Sequence, residues 1–417
     1  MRNLIFLLFT FLNFSITAQP YVPFLKKNNT FILVDSATMS PMNGKEYKEI
    51  SFYSEGLVAV KYMNGYCGYI DMEGKEIIAP KYREAYEFND GLAFVLSETK
   101  GKTLYGFIDK QGMDIVPPKY DNIDAYFNEG LSRVGIELSA GQEQWGFIDK
   151  SGNEVIAPKY EQADIFIEGL ARVQKNKMWG FIDKEGNEIT PTIYEDADNF
   201  ADGFARVKTY GKWGFIDKTG NEVISPKYYD DEVENFNNGL SAVKINDKWG
   251  FIDKTGKVVL LPKYDKLEDR SDKGFSEGLA SVCINEKWGF IDKLGKEVIP
   301  LNYDYCLRFY EGLAAVELNK KWGFVDKTGK IAVPLKYDGT AAIGGEGNSN
   351  IDGFTEGMGM VEMNNKYGFI DKTGKELVLI KYDYAYSFRN GLAKVELWKP
   401  NFISFWVDKV GKEYREQ

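Results

Sequence analysis

Apolar positions along this chain fall into short alternating runs. After each Gly-Leu comes a small residue, a variable residue and Val, as in Ala171-Arg172-Val173, Ala205-Arg206-Val207, Ser241-Ala242-Val243 and Ala314-Ala315-Val316. A period of two puts the small residue and Val on one face of a strand and the variable residue on the other. A polar link follows, built around Asn246-Asp247, Asn285-Glu286, Asn319-Lys320 or Asn364-Asn365. Asn tolerates positive φ, so this link is expected to be a tight hairpin turn. The second arm then reads Trp213-Gly214-Phe215-Ile216-Asp217. Trp213, Phe215 and Asp217 share one face, Gly214 and Ile216 the other. A strand glycine marks a close approach, here expected to be the aromatic ring of a neighbouring copy.

Asp-Lys-x-Gly closes a second turn, with Asp accepting backbone N–H groups and Gly at φ > 0. A third strand, Val223-Ile224 or Val298-Ile299, is expected to stop at the Pro that follows, which cannot donate to a ladder. A return stretch such as residues 160–166 carries the chain to the next Gly-Leu. Each unit is thus predicted to be a three-stranded antiparallel meander plus a return loop.

The unit recurs about ten times. The Trp-Gly glycine falls at Gly68, Gly106, Gly146, Gly180, Gly214, Gly250, Gly289, Gly323 and Gly368, and the Gly-Leu motif keeps step from Gly56 to Gly391. Such units bury their apolar faces only against their neighbours. The fold class is therefore all-β, a tandem array of three-stranded meanders. An open curved solenoid or superhelix is expected, with a β-propeller-like closed ring as the alternative. The open form is favoured because about ten copies exceeds the usual propeller and the chain ends do not look complementary. Phe31 to Asp35 looks like a lone second arm, and the chain finishes after a full hairpin. The organisation predicted is 1–18 leader, 19–50 N-terminal segment and degenerate cap, 51–395 array, and 396–417 degenerate C-terminal cap.

The string Lys-Trp-Gly-Phe-Ile-Asp-Lys-x-Gly-x-Glu-Val-Ile-x-Pro-Lys-Tyr resembles the WG (or KWG) repeat family of bacterial proteins, from about Phe31 to the C-terminus. Departures are Cys67, Tyr105, Tyr367 and Ser404 for Trp, Tyr69 and Trp406 for Phe, and Met72 for Lys. The resemblance implies a β-repeat binding or scaffolding module and no enzymatic activity.

Composition narrows the function. With 44% hydrophobic and 15% aromatic residues there is ample core material. A formal net charge of −10 argues against nucleic acid, which needs a basic groove. Met1-Arg2-Asn3, the apolar run Leu4 to Leu12 and the small residues before Gln19 read as a secretory signal peptide cleaved near Ala18. The run is too short to span a membrane, so no transmembrane span is expected after cleavage. The protein is expected in the periplasm, on the cell surface or outside. Cys67, Cys283 and Cys306 make no disulfide framework, although a Cys283–Cys306 bridge is conceivable.

Histidine is absent, which removes the commonest general base and transition-metal ligand. Asp149, Asp183, Asp217, Asp253, Asp292, Asp326 and Asp371 recur at one position in every copy, so they read as turn formers rather than catalysts. Calcium there lacks the spaced oxygens of an EF-hand. No catalytic residue, metal site or cofactor is assigned. Trp145, Trp179, Trp213, Trp249, Trp288 and Trp322 are read as core, the alternative being a ladder stacking on sugars. The insertion between Gly339 and Gly353 lacks the Lys-Ser/Thr and helix of a phosphate loop. The variable strand position (Arg133, Arg172, Arg206, Ala242, Ser281, Ala315, Met360, Lys394) should form a row along one surface. Within it Arg133, Arg172 and Arg206 are the candidate partner-binding row. The function expected is an exported, non-enzymatic surface for a protein partner. A carbohydrate- or cell-wall-binding module is the alternative, and a carboxylate-dependent hydrolase ranks last.

Overall fold

In the computed structural model, residues 21–99, 101–139, 141–230, 232–268, 274–340 and 353–415 are described. The leader and most of the 339–353 insertion lie outside them. All regular elements among the described residues are β-strands joined by turns. They group into two compact units. Among the described residues, the larger one spans 45–264 together with 274, and the other spans 21–44, 265–268 and 275–415.

The repeated sheet is clearest between residues 122 and 160. Its order is Asn122–Ile123, Leu131–Ser139, Gln142–Asp149 and Glu154–Tyr160, all antiparallel. The hairpin arms lie where the alternation put them. The return stretch, however, is more than a loop: Gln162–Ala163 pairs with the following first arm, and equivalent pairings give most copies a fourth strand. In most copies that strand is only two residues, too short to leave a periodic signal, although it lengthens to six at Glu84–Asn89 and Tyr305–Tyr310.

The third strand also differs from expectation, because it does not stop at Pro. Trp145 lies opposite Tyr160 and Phe147 opposite Ile156, so Ala157, Pro158 and Lys159 bulge against the single residue Gly146. A bulge leaves residues unpaired, and Pro is tolerated there because no ladder N–H is required. The same bulge explains the Trp-Gly glycine. A Cβ on Gly289 would stand 2.5 Å from the Ile299 carbonyl oxygen and 2.7 Å from that of Pro300. The close neighbour is thus third-strand backbone of the same copy, not an aromatic ring of the next.

Copies are joined by a recurring set of contacts. The Phe of Trp-Gly-Phe meets the Phe before the next Glu-Gly edge to face. Phe147–Phe166, Phe290–Phe309 and Phe369–Phe388 have centroids 4.8, 4.8 and 4.7 Å apart. Within each unit the Asp-Lys-x-Gly turn of several copies rests on the preceding third strand. Gly186, at φ +83°, faces the Ile156 side chain in this way.

Tyr21–Leu25 supplies the first arm missing from the sequence reading and pairs with Phe31–Asp35. Asp35 Oδ1 then accepts the amides of Ala37 and Thr38, at 3.0 and 2.7 Å, as in the repeated turn. The last copy is a complete sheet of Tyr384–Ala385, Leu392–Leu397, Ile403–Asp408 and Glu413–Tyr414. Arg415 bridges Leu25, and Lys412 Nζ donates to the Ser36 carbonyl at 3.2 Å. Leu25 joins the core cluster that contains Phe405 and Val407. The chain ends therefore meet inside one unit, as the propeller-like alternative expects and an open stack does not.

Candidate binding surface

Each side chain that recurs has a structural partner. Asp217 Oδ1 accepts the Thr219 hydroxyl at 2.6 Å, the Thr219 amide at 2.8 Å and the Asn221 amide at 3.0 Å. Those bonds, the Thr219 hydroxyl first, hold its carboxyl below the usual Asp value. The pattern repeats at Asp253, Asp326 and Asp371, with Asn replacing Thr as first donor at Asp149 and Asp183. Turn formation is what these carboxylates do. Trp179, Trp213, Trp249, Trp288 and Trp322 are buried, and Trp145 is half-buried. An exposed Trp ladder for sugars is not present at these positions.

The Glu of Phe-x-Glu-Gly-Leu carried no assignment from sequence, yet it clasps adjacent copies. Glu168 Oε2 accepts the Gly203 amide at 2.9 Å and pairs with Lys218 Nζ at 3.0 Å. Glu129, Glu277 and Glu356 repeat both contacts, with Gly169 and Lys184, Gly312 and Lys327, and Gly391 and Lys409. Glu168 sits at φ +54° before Gly169 at +87°, a turn position where Asn or Asp fits better. Asp202, at the equivalent position, accepts the Gly239 amide of the next copy at 2.6 Å in the same way. An acidic residue before Gly in most copies, in phase with Asp-Lys, was the available signal.

Arg133, Arg172 and Arg206 occupy equivalent positions and each stacks on the Trp of its own copy. Their guanidinium carbons lie 4.5, 4.5 and 4.3 Å from the rings of Trp145, Trp179 and Trp213. Arg133 holds Asp124 through Nε at 3.1 Å and Nη2 at 3.0 Å, while Nη1 donates to the Ala163 carbonyl of the next copy. Arg172 bonds Asp164 and the Ala197 carbonyl, and Arg206 bonds Asp198 and the Val233 carbonyl. Ser281, at the same position, donates to the Cys306 carbonyl at 3.0 Å. The variable row therefore runs along the junctions, and Ala242, Ser281 and Ala315 within it are buried. Arg133 borders a cleft of about 410 Å³, shared with Trp145, Glu143, Glu161 and Asp164.

The hairpin ends vary in a way the sheets do not require. Asn176-Lys177, Asn246-Asp247, Asn285-Glu286, Asn319-Lys320 and Asn364-Asn365 all have two positive φ values, the turn that Asn favours. At the equivalent place Tyr210 takes φ +50° before Gly211, and its side chain is 92% exposed. A bulky residue in this region is strained by about 1–2 kcal/mol. Met63 and Tyr66, in the first copy of the same unit, and Leu138, beside the third copy's hairpin turn, are exposed as well. Tyr229 is also exposed and replaces the acid found after Tyr in neighbouring copies, such as Glu195, which binds the Gly211 amide at 2.9 Å.

Cys67, Cys283 and Cys306 are free, buried thiols. Among the described residues no cluster of three metal-ligating side chains occurs, and no helix is long and apolar enough to cross a membrane.

No curated protein matches this chain. Among solved structures, a eukaryotic initiation factor is 10% identical, with 95% of each chain covered and a TM-score of 0.38. The extracellular domain of a hybrid two-component system from B. thetaiotaomicron is 9% identical, covering 90% of this chain and 65% of that one, with a TM-score of 0.26. A dihydro-heme d1 dehydrogenase is 12% identical, covering 71% and 76%, with a TM-score of 0.28. Likenesses this low carry no argument. The WG containing repeat matches nine times, at 68–98, 105–137, 145–179, 179–213, 213–249, 249–288, 288–322, 322–367 and 367–397. With that unit filling most of the chain, and with its Trp, Gly, Asp and Tyr at the bulge and turn of sheet after sheet, the chain belongs to the WG-repeat family.

Proposed function

We propose that this is an exported, non-enzymatic WG-repeat array that presents hairpin ends of its larger unit to a protein partner in the cell envelope or outside the cell. The observation that carries the reading is Tyr210: a strained, 92% exposed aromatic at a turn where five other copies use Asn. Backbone strain that the fold does not need is retained where a function uses the residue. Tyr is also among the side chains that most often anchor protein interfaces. Met63, Tyr66 and Leu138 are further exposed apolar side chains at or beside hairpin ends of other copies in the same unit. Arg133, Arg172 and Arg206 serve the junctions in this reading, because each gives Nη1 to a carbonyl of the adjacent copy and Nε to Asp124, Asp164 or Asp198. The acidic balance, −10 overall, favours a partner other than nucleic acid.

The test replaces Tyr210 by Asn. The variant should gain about 1 kcal/mol in denaturant unfolding and lose capture of the envelope protein held by the unaltered chain. Equal capture by both proteins would sink the proposal. Fractionation of cells expressing the full chain checks export, with protein retained in the cytoplasmic fraction as the contrary result.

A further inference from the structure

The last sheet carries a second kind of surface, independent of the Tyr210 reading. Between Leu392–Leu397 and Ile403–Asp408 the tight two-residue turn is replaced by the loop 398–402. That loop exposes Trp398 (54%) and Phe402 (59%). The family's buried Trp position in this copy is Ser404. Its Oγ is inaccessible to solvent and has no hydrogen-bond partner among the described residues.

Trp398 is exposed but fixed. Its amide donates to Asp383 Oδ2 at 2.8 Å and its indole Nε1 to Glu396 Oε2 at 3.2 Å. The other Glu396 oxygen accepts the Tyr386 hydroxyl at 3.2 Å. Tyr384 lies across the ladder from Glu396, with ring centroids 5.0 Å from Tyr386 and 5.6 Å from Tyr367. Lys394 and Glu396 alternate along the first arm and so share a face. Trp398 in the loop joins them through its indole bond to Glu396, and Ser404 is the cross-strand partner of Glu396. The Lys394 ammonium stands 5.8 Å from the Tyr386 ring centre.

We infer that this face binds a neutral oligosaccharide. An indole held by its N–H presents a flat apolar surface for the C–H face of a pyranose. Glu396 retains lone pairs for hydroxyl donors, and Lys394 offers a donor. The charges balance locally: Lys394 accompanies Glu396, Lys366 Nζ is 2.6 Å from Asp383, and Lys399 near Asp383 is matched by Glu362 beside Tyr367. That balance favours neither a cation nor an anion, and it suits an uncharged, many-hydroxyl ligand. An apolar groove for a protein segment would not need a carboxylate shared between two ring donors.

The experiment titrates the full chain with N-acetylglucosamine tetramer, cellotetraose and maltotetraose, read by calorimetry and by saturation-transfer NMR. Binding of at least one is expected. Trp398→Ala and Glu396→Gln should each weaken it about tenfold or more, with circular dichroism and melting unchanged, and Tyr210→Asn should leave it intact. Absence of binding to all three, or binding undiminished in both variants, overturns the inference. So would Trp398-dependent capture of a protein without any saccharide binding.

Discussion

Phe215 and Phe236 meet edge to face across a junction between copies, their ring centroids 4.8 Å apart and their planes at 63°. One belongs to a second arm and the other to the return stretch of the following copy. Such a pair is worth about 0.5–1.5 kcal/mol beyond the area it buries. Its equivalents recur along both units, so each copy's aromatic core is completed by its neighbour.

A single copy should therefore not fold. A peptide spanning 162–194 leaves Phe181 without Phe200, and its Trp179 without the neighbouring side chains that bury it. Circular dichroism and thermal melting should show an uncooperative peptide, whereas the full chain melts cooperatively. A cooperative transition in the isolated copy would contradict the junction account.

Gly289 is set by backbone rather than by a turn. Gly289→Ala drives a methyl into the Ile299 carbonyl, and overpacking of this kind costs about 1–3 kcal/mol. Gly278, at φ +91° with nothing within 4 Å, should cost only the strain of its conformation, about 1–2 kcal/mol. Urea unfolding of the Ala variants and of a bulkier substitution at each position separates the two causes. A larger residue at 289 should worsen the loss, and at 278 it should not.

Acid should unfold the array through its turns. Asp149, Asp183, Asp217, Asp253, Asp326 and Asp371 all have carboxyl values lowered in the folded state. A lowered carboxyl contributes stability that is present above its unfolded value and lost as pH falls through the folded one. The melting temperature should thus hold from pH 7 to 5 and fall below about pH 4. Asp124 and Glu317, raised first by burial, act in the opposite sense but are outnumbered. Replacing Thr219, Thr255, Thr328 and Thr373 by Ala should shrink the acid-dependent drop, since each hydroxyl is the leading cause at its Asp.

The thiols should be silent in the native protein. Burial pushes Cys67 up to about 11 and raises Cys283 and Cys306, so the reactive thiolate is scarce at neutral pH. A thiol reagent at pH 8 should label none of the three before denaturation and all three after it. Labelling of Cys67 alone after denaturation without reductant would show that Cys283 and Cys306 pair.

By itself, the sequence determined the hairpin arms, both turns, the core role of the Trp residues and the repeat. Periodicity two, Asn or Gly at positive φ and a buried ring all act over a few residues, so each leaves a local trace. It did not reveal the fourth strand, because in most copies it is only two residues, such as Asn122–Ile123, too few to show alternation. The bulge was misread for a related reason: Pro158 excludes a ladder bond, but whether the strand ends or bends there depends on Tyr160 finding Trp145 beyond it. Tertiary structure alone decided where the Glu168 carboxylate and the Arg206 guanidinium go. Their partners, Gly203 and Val233, lie a whole copy further along the chain, and only stacking of the sheets brings them within reach. Tertiary structure also brought Leu25 to Arg415, a contact between opposite ends of the chain that no local pattern could encode.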